Sequence, residues 1–508
     1  MFLLKRQVLR LPFKELRRVS YRNVHQKQSE NSKNSTLKYG YGVATTLLGI
    51  GVITLFYGFQ RKGQQTYNSS SLNDKEEDGG RNSTIIRSPR EATAKLRENQ
   101  ISFLLQRSNG IWRYDSNQLG SNYPIEDMKS EEFVFNSPKR NKVESLVGDR
   151  LFFGVYDGHG GWNTSKFLSK TLIPKVREHL DKAIEGTGEY SNLISNYQEL
   201  TKAAIEKAFV ELDDEIIIHS INRLLNTKGL FSIEECLLSA FSGSCALLAY
   251  IDAANKDLYV ACTGDSRAVL GVRETDNENG GKRWKAVVLT EDQTGRNENE
   301  VKRIDKEHPG EEGNIISYGR VFGGLEPTRA FGDSKYKWDV KMQDGVFTKF
   351  FKIKRGLAGG SKNKSPPYVT ARPEITSHKL TENVKFLVLA TDGLWDALSN
   401  EEVVELVGEF LDGRRDIIDD EKENSSNFKE DELKWENSMQ EKVFTFVDEN
   451  ASTHLIRNAC GGAKQDQLCA LLSLPSPMSR RFIDDITVTV VFFGPDNQSN
   501  KTSGKINE

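Results

Sequence analysis

Cysteine is scarce in this chain of 508 residues and is spaced poorly for chemistry. The five thiols, Cys236, Cys245, Cys262, Cys460 and Cys469, form no CxxC pair and are odd in number. That argues against a disulfide framework or a zinc site and leaves buried thiols as the expectation. A basic excess is also missing, since 70 Lys and Arg face 72 Asp and Glu for a formal net charge of −2. A protein that coats nucleic acid needs a clear surplus of positive charge, so no nucleic-acid partner is expected. The chain has no GxGxxG or Walker loop, no arrangement resembling a Ser-His-Asp or cysteine nucleophile, and no internal repeat. What it does have, 37% hydrophobic and 28% charged residues, suits one large domain with polar extensions.

The extensions come first. Lys5, Arg6, Arg10, Lys14, Arg17, Arg18 and Arg22 face a single acid, Glu15, among apolar residues that a helix would partly segregate. Residues 1–37 therefore read as a mitochondrial presequence. Residues 39–59 (YGYGVATTLLGIGVITLFYGF) carry no charge. At ~1.5 Å per residue such a stretch crosses a ~30 Å hydrocarbon core, which predicts a transmembrane helix over 38–60. A presequence followed by a stop-transfer helix implies inner-membrane anchoring with the domain toward the intermembrane space. Carriage through the membrane would place it in the matrix instead, and both topologies stay open. Residues 61–99 read as a disordered tether and 495–508 as a disordered tail.

Residues 100–494 alternate short β-like runs with longer helical ones. Strands are predicted at Leu151–Tyr156, Cys245–Ile251, Leu258–Cys262, Ala268–Val272, Phe386–Ala390 and Ile486–Phe493, where β-branched and aromatic residues dominate. Helices are predicted at Trp162–Ala183, Tyr197–Arg223, Glu401–Leu411 and Ser452–Ala459. The pattern predicts an α+β fold built on a central antiparallel β-sandwich. Two polar segments, 341–365 and 413–441, read as surface insertions that cross as loops.

The informative feature is where the acids fall. Asp157 and Asp392 each follow a strand, Asp265 sits in a hairpin turn, Asp484 and Asp485 precede the last strand, and Glu126–Asp127 lie upstream. One such acid alone is an ordinary turn or capping residue. Several at the edges of one sheet pair, poorly solvated, require compensation. Hard oxygen ligands of this kind suit Mg²⁺ or Mn²⁺, and Gly158, Gly160 and Gly161 would let a backbone carbonyl join them. A two-metal site that turns water into a nucleophile near neutral pH fits such a set, with His159 as a well-placed proton donor.

In the order YDGHGG, GSCALLAY, TGDSRAVL, TRAFGD, ATDGLWD and DDIT, these segments resemble the metal-dependent type 2C protein phosphatases across roughly residues 110–494. The branch they are most similar to is the mitochondrial pyruvate dehydrogenase phosphatases, through YDSNQLGSNYPIEDMKS, LTEDQTGRNENEVKRIDKEHPGEE, GGLEPTRAFGDSKYKW, PPYVTARPEIT, NASTHLIRNA and LLSLP. The resemblance implies a β-sandwich flanked by helix pairs and a monomeric catalytic domain. It implies hydrolysis of phosphoserine or phosphothreonine by a water that two Mg²⁺ or Mn²⁺ ions activate, with the pyruvate dehydrogenase complex as substrate. By the same resemblance Asp157 bridges both ions and the Gly158 carbonyl binds one of them. Glu126 ligates the second ion with Asp127 in its water shell, Asp392 and Asp484 complete the first, and Asp265 with Asp392 marks a weaker third position. His159 corresponds to the residue that protonates the leaving alkoxide.

Two positions depart from the family pattern. The arginine that grips substrate phosphate, four residues before the metal-binding glutamate, is Asn122 here, as in the pyruvate dehydrogenase phosphatase branch. The DH of the LTxDH segment is Asp292–Gln293. Arg329 and Asp333 in TRAFGD are expected to organise loops, Arg267 to pair with a carboxylate, and Trp338 and Trp395 to fill core. The competing readings are a catalytically inactive scaffold with the same fold, another mitochondrial phosphoprotein as substrate, and a metal-dependent phosphodiesterase or nuclease.

Overall fold

Both faces of the strand Arg150–Tyr156 are buried, which explains its unbroken apolar run: Phe152 and Tyr156 point to one side, Leu151, Phe153 and Val155 to the other. This alternation organises the molecule. The structure, a computed structural model, describes residues 86–105, 110–135, 148–185, 190–226, 233–275, 282–351, 364–416 and 442–494. The predicted presequence, the membrane span over 38–60 and the tail 495–508 lie outside these residues, as does most of the segment 413–441. Among the described residues no helix is long and apolar enough to cross a membrane.

In chain order the strands are β1 (Ile101–Leu104), β2 (Ile111–Leu119), β3 (Met128–Val134), β4 (Arg150–Tyr156), β5 (Gly158–His159), β6 (Gly243–Ser244), β7 (Ala246–Asp252), β8 (Asp257–Thr263), β9 (Arg267–Thr275), β10 (Lys282–Val288), β11 (Ile316–Ser317), β12 (Arg320–Val321), β13 (Phe331–Gly332), β14 (Glu374–Lys379), β15 (Val384–Ala390) and β16 (Ile486–Phe493). One antiparallel sheet runs β1-β2-β16-β15-β9-β10 and the other β14-β8-β7-β4-β3. Leu151, Phe153, Val155, Leu247, Ala249 and Val260 of the second sheet pack against Leu270, Leu387, Leu389 and Val491 of the first, forming the sandwich core.

Each sheet is covered on its outer face. Helices Asn163–Glu185 and Tyr190–Asp214 pack over Phe152, Leu248, Tyr250 and Tyr259. Helices Asn400–Leu411 and Ala451–Ala459 cover Phe386, Val388, Val488 and Val490. Covering both sheets in this way gives four layers, helix–sheet–sheet–helix, as the family resemblance implies.

Three expectations are corrected. The tether ends early, because Pro89–Arg97 is a helix capped by Ser88 and Glu91 whose Ala92 and Leu96 are buried. The helix predicted over Tyr197–Arg223 is three pieces: Tyr190–Asp214, a π-helical turn Glu215–His219, and Ser220–Asn226. The segment predicted as a loop from 341 begins as helix Val340–Val346 with Val346 buried, followed by the π turn Phe347–Phe351. Lys349 there donates to the carbonyls of Leu224 and Leu225.

Candidate metal centre

Strand register gathers the acids at one end of the sandwich. The pairs Met128↔Tyr156, Ala390↔Val488, Ile486↔Leu119 and Ala390↔Arg267 align the last residues of outgoing strands with the first of returning ones. The connections at that end carry Glu126–Asp127, Asp157, Asp265, Asp392 and Asp484–Asp485. Carboxylate oxygens of Asp157, Asp265 and Asp392 all lie within 4.8 Å of one another.

Each acid is held from its own side. The Asp157 carbonyl accepts the Cys245 N–H at 2.8 Å, tying β4 to β7 where the acid emerges. Asp127 is buried and its Oδ2 accepts hydroxyls of Thr391 and Thr487, each at 2.8 Å. Asp265 receives the Cys245 thiol at 3.2 Å. Asp484 lies 2.6 Å from the Arg480 guanidinium and accepts the Asp485 N–H at 2.7 Å. Gly158 sits where a Cβ would stand 2.2 Å from the Glu126 carbonyl, so only glycine lets these two loops meet.

The electrostatics of this end are adverse without a cation. Burial first, then Asp127, Asp392, Asp265 and Asp484, push the Asp157 carboxyl far above the usual carboxylate range. Asp392 rises for the same reasons, burial first and then repulsion led by Asp265. Burial lifts Asp265 to about 6. Burial raises Glu126 although Arg480 opposes it, and raises Asp484 against the same arginine. Among the described residues Asp157, Asp265 and Asp392 have no cationic partner. Mutual repulsion of clustered, poorly solvated oxygen donors that no side-chain cation pairs among the described residues fits divalent Mg²⁺ or Mn²⁺.

Two residues have roles here that the sequence did not indicate. Asp485 is buried and accepts the N–H groups of Ser121, Asn122 and Glu126 at 2.6, 2.9 and 2.8 Å, shaping the loop that delivers Glu126. Asp333, expected to organise a loop, instead places Oδ2 2.6 Å from His159 Nε2. Its backbone is left-handed (φ +49°), a strained state for a non-glycine residue. A Cβ on Gly243 would strike both His159 Nε2 and Asp333 Oδ2. Burial disfavours the imidazolium, but Asp333, with Asp265 and Glu126, more than offsets it and raises the His159 pKa. The signal available in sequence was Asp333 following Gly332; 174 residues separate it from His159.

The remaining expectations are structural. Arg329 makes a two-nitrogen contact with buried Glu300 and reaches Glu374. Arg267 pairs with Asp292 at 2.7 Å and Asn400 at 2.8 Å and lies over Trp395. Gln293, at the departure from LTxDH, accepts the Gly264 N–H at 2.7 Å and so braces the Asp265 turn. Asn122 directs its amide to Glu126 and Asp485, at 3.3 Å each. Trp338 is buried, as are the free thiols Cys245, Cys262, Cys460 and Cys469.

Comparison with known proteins matches residues 125–433 to the protein phosphatase 2C family. A protein phosphatase 2C homolog of Schizosaccharomyces pombe is 42% identical over 407 residues, covering 79% of this chain and 84% of the relative. The mitochondrial pyruvate dehydrogenase [acetyl-transferring]-phosphatase 1 of Saccharomyces cerevisiae is 39% identical over 474 residues, covering 87% and 79%. Its namesake in Homo sapiens is 32% identical over 476 residues, covering 80% and 83%.

Proposed function

This chain belongs to the protein phosphatase 2C family and is a metal-dependent protein serine/threonine phosphatase, and from that premise we propose that it dephosphorylates the pyruvate dehydrogenase complex in mitochondria. The yeast and human relatives carrying that name support the substrate. The observation that carries the site assignment is the set of mutually repelling carboxylates of Asp157, Asp265 and Asp392, within 4.8 Å of one another and with no side-chain ion pair among the described residues.

In this reading Asp157, the Gly158 carbonyl, Glu126, Asp392 and Asp484 hold two ions, Asp127 orders water beside them, and Asp265 with Asp392 offers a weaker third place. Bound Mg²⁺ or Mn²⁺ would supply acidification of water and neutralisation of phosphate charge. The chain supplies the rest. Asp485 and Asn122 fix the Glu126 loop, and the Thr391 and Thr487 hydroxyls fix Asp127. His159, with Nε2 engaged by Asp333, donates its proton to the departing serine or threonine oxygen through Nδ1. Phosphate leaves in one displacement, with no phosphoenzyme.

Residues 1–37 would direct import and 38–60 would anchor the phosphatase domain to the inner membrane. Protease protection in intact and swollen mitochondria distinguishes an intermembrane-space domain from a matrix one, and only the latter reaches a matrix substrate. The substrate itself is tested by Mn²⁺-dependent release of phosphate from the phosphorylated pyruvate dehydrogenase α subunit. Release is expected from wild type and not from Asp157→Asn. Release from a phosphoseryl peptide but not from the phosphorylated complex would leave the phosphatase standing and remove this substrate. No release from either would favour the inactive scaffold.

A further inference from the structure

A phosphate dianion approaching this end of the sandwich meets Glu126, Asp127, Asp157, Asp265, Asp392, Asp484 and Asp485. Beyond whatever the ions neutralise, the protein needs a cation at the mouth. Most nearby cations are already committed: Arg267 to Asp292, Arg329 to Glu300 and Glu374, and Lys337 to Asp213 and the Ala330 carbonyl. Asn122, though close, is neutral and spends its amide on Glu126 and Asp485.

Arg480 is different. It lies in the short 3₁₀ turn Ser479–Arg481 just before Asp484. Buried Ser479 donates its hydroxyl to the Ser121 carbonyl at 2.5 Å, fastening that turn to the loop that carries Asn122 and Glu126. The Arg480 side chain keeps 40% of its surface exposed, and its one hydrogen-bonded contact among the described residues runs from Nη1 to Asp484 at 2.6 Å. A guanidinium has five N–H donors in a planar fork, so most of that fork is unspent.

We propose that Arg480 receives and orients the phosphoryl group of the substrate, its fork turning from Asp484 onto two phosphate oxygens. The inference rests on the phosphatase reading above. It assigns the phosphate-gripping charge to a segment beyond the family-matched residues 125–433, and it leaves Asn122 free to shape the Glu126 loop. Planar, bidentate recognition of phosphate is what the arginine fork does best.

The test uses the full-length chain with Mn²⁺, as wild type, Arg480→Ala and Arg480→Lys. Inorganic phosphate binding is read by titration calorimetry, Mn²⁺ affinity in the same way, and KM and kcat on a phosphoseryl peptide. Arg480→Ala is expected to weaken phosphate binding and raise KM about tenfold or more, the size of a lost hydrogen bond between charged partners. Arg480→Lys, which keeps the charge without the fork, should fall between, and it decides the matter if the alanine variant does not fold. Mn²⁺ affinity should stay as in wild type. Unchanged phosphate binding in both variants overturns the proposal. So does a loss of Mn²⁺ affinity that tracks the loss of phosphate binding, because Arg480 would then act only by holding Asp484. Phosphate binding that depends on Arg480 in a wild-type protein without turnover would sink the phosphatase reading and keep this site.

Discussion

At the residue scale, the contact between His159 and Asp333 makes the sharpest demand. A carboxylate 2.6 Å from Nε2 fixes the ring orientation and favours the imidazolium, the one form in which Nδ1 also carries a proton to donate. Asp333→Asn is expected to lower kcat on a phosphoseryl peptide by roughly 10²-fold, the low end of what a positioned proton donor contributes. On p-nitrophenyl phosphate, whose leaving group departs without a proton, the same variant should lose little. Equal losses on both substrates would show that Asp333 only supports the fold. Asn122 makes a second demand. Adding a charged hydrogen bond of about 1.5–3 kcal/mol to the phosphate at this position should lower KM for a small phosphoester in Asn122→Arg. An unchanged or higher KM would mean that its ties to Glu126 and Asp485 matter more than its nearness to phosphate.

At the element scale, the loops depend on close approach and on buried ion pairs. Gly158→Ala would drive a Cβ to 2.2 Å from the Glu126 carbonyl, so the two loops must part. Mn²⁺ binding measured by calorimetry should weaken strongly while the melting temperature changes little. Glu300, at the start of helix Glu298–Glu307, joins Thr328, Arg329 and Arg303 and thereby holds the loop leading to Asp333. Burial opposes its charge, but Arg329 and Arg303 win and hold the carboxyl at about 2 rather than 4.5. That contribution is full above pH 4.5 and is lost as pH falls through about 2. Glu300→Gln should therefore destabilise the protein by about 3 kcal/mol at neutral pH in denaturant unfolding, with the gap to wild type closing in strong acid.

These elements also show why some of the fold could be read from residues and some could not. The β16 run Ile486–Phe493 is buried throughout and announces itself through β-branched residues. Its neighbour β2 does not, because Asp115 and Asn117 lie buried within it. Their cost is offset by the helix laid across them: Asp115 accepts the Ala451 N–H at 2.7 Å and Asn117 donates to Thr453 at 2.8 Å. Arg113 on the same strand also grips Asp115 with two nitrogens at 2.7 Å, but the helix contacts come from 336 residues away, beyond any local pattern. The edge strand β1 is exposed along its whole length and offers no alternation to detect. For the candidate site the acids at strand ends were legible because each stands beside an apolar run. The roles of Asp333 and Arg480, and the bracing of the Glu126 loop by Asp485, were not, since their importance lies in what they touch.

At the scale of the whole molecule, four layers of helix and sheet serve to bring seven carboxylates from five distant segments to one end. The fold stabilises an arrangement that is electrostatically unfavourable alone, and the account holds that divalent cations complete it. Counting Mn²⁺ bound per full-length chain by calorimetry, in wild type and Asp157→Asn, with phosphate release followed on the same samples, tests that claim most directly. The account predicts two tightly held ions and Mn²⁺-dependent release in wild type, with both the ions and the release lost in Asp157→Asn. Wild type that releases phosphate without binding Mn²⁺, or Asp157→Asn that binds and turns over as wild type does, would contradict it.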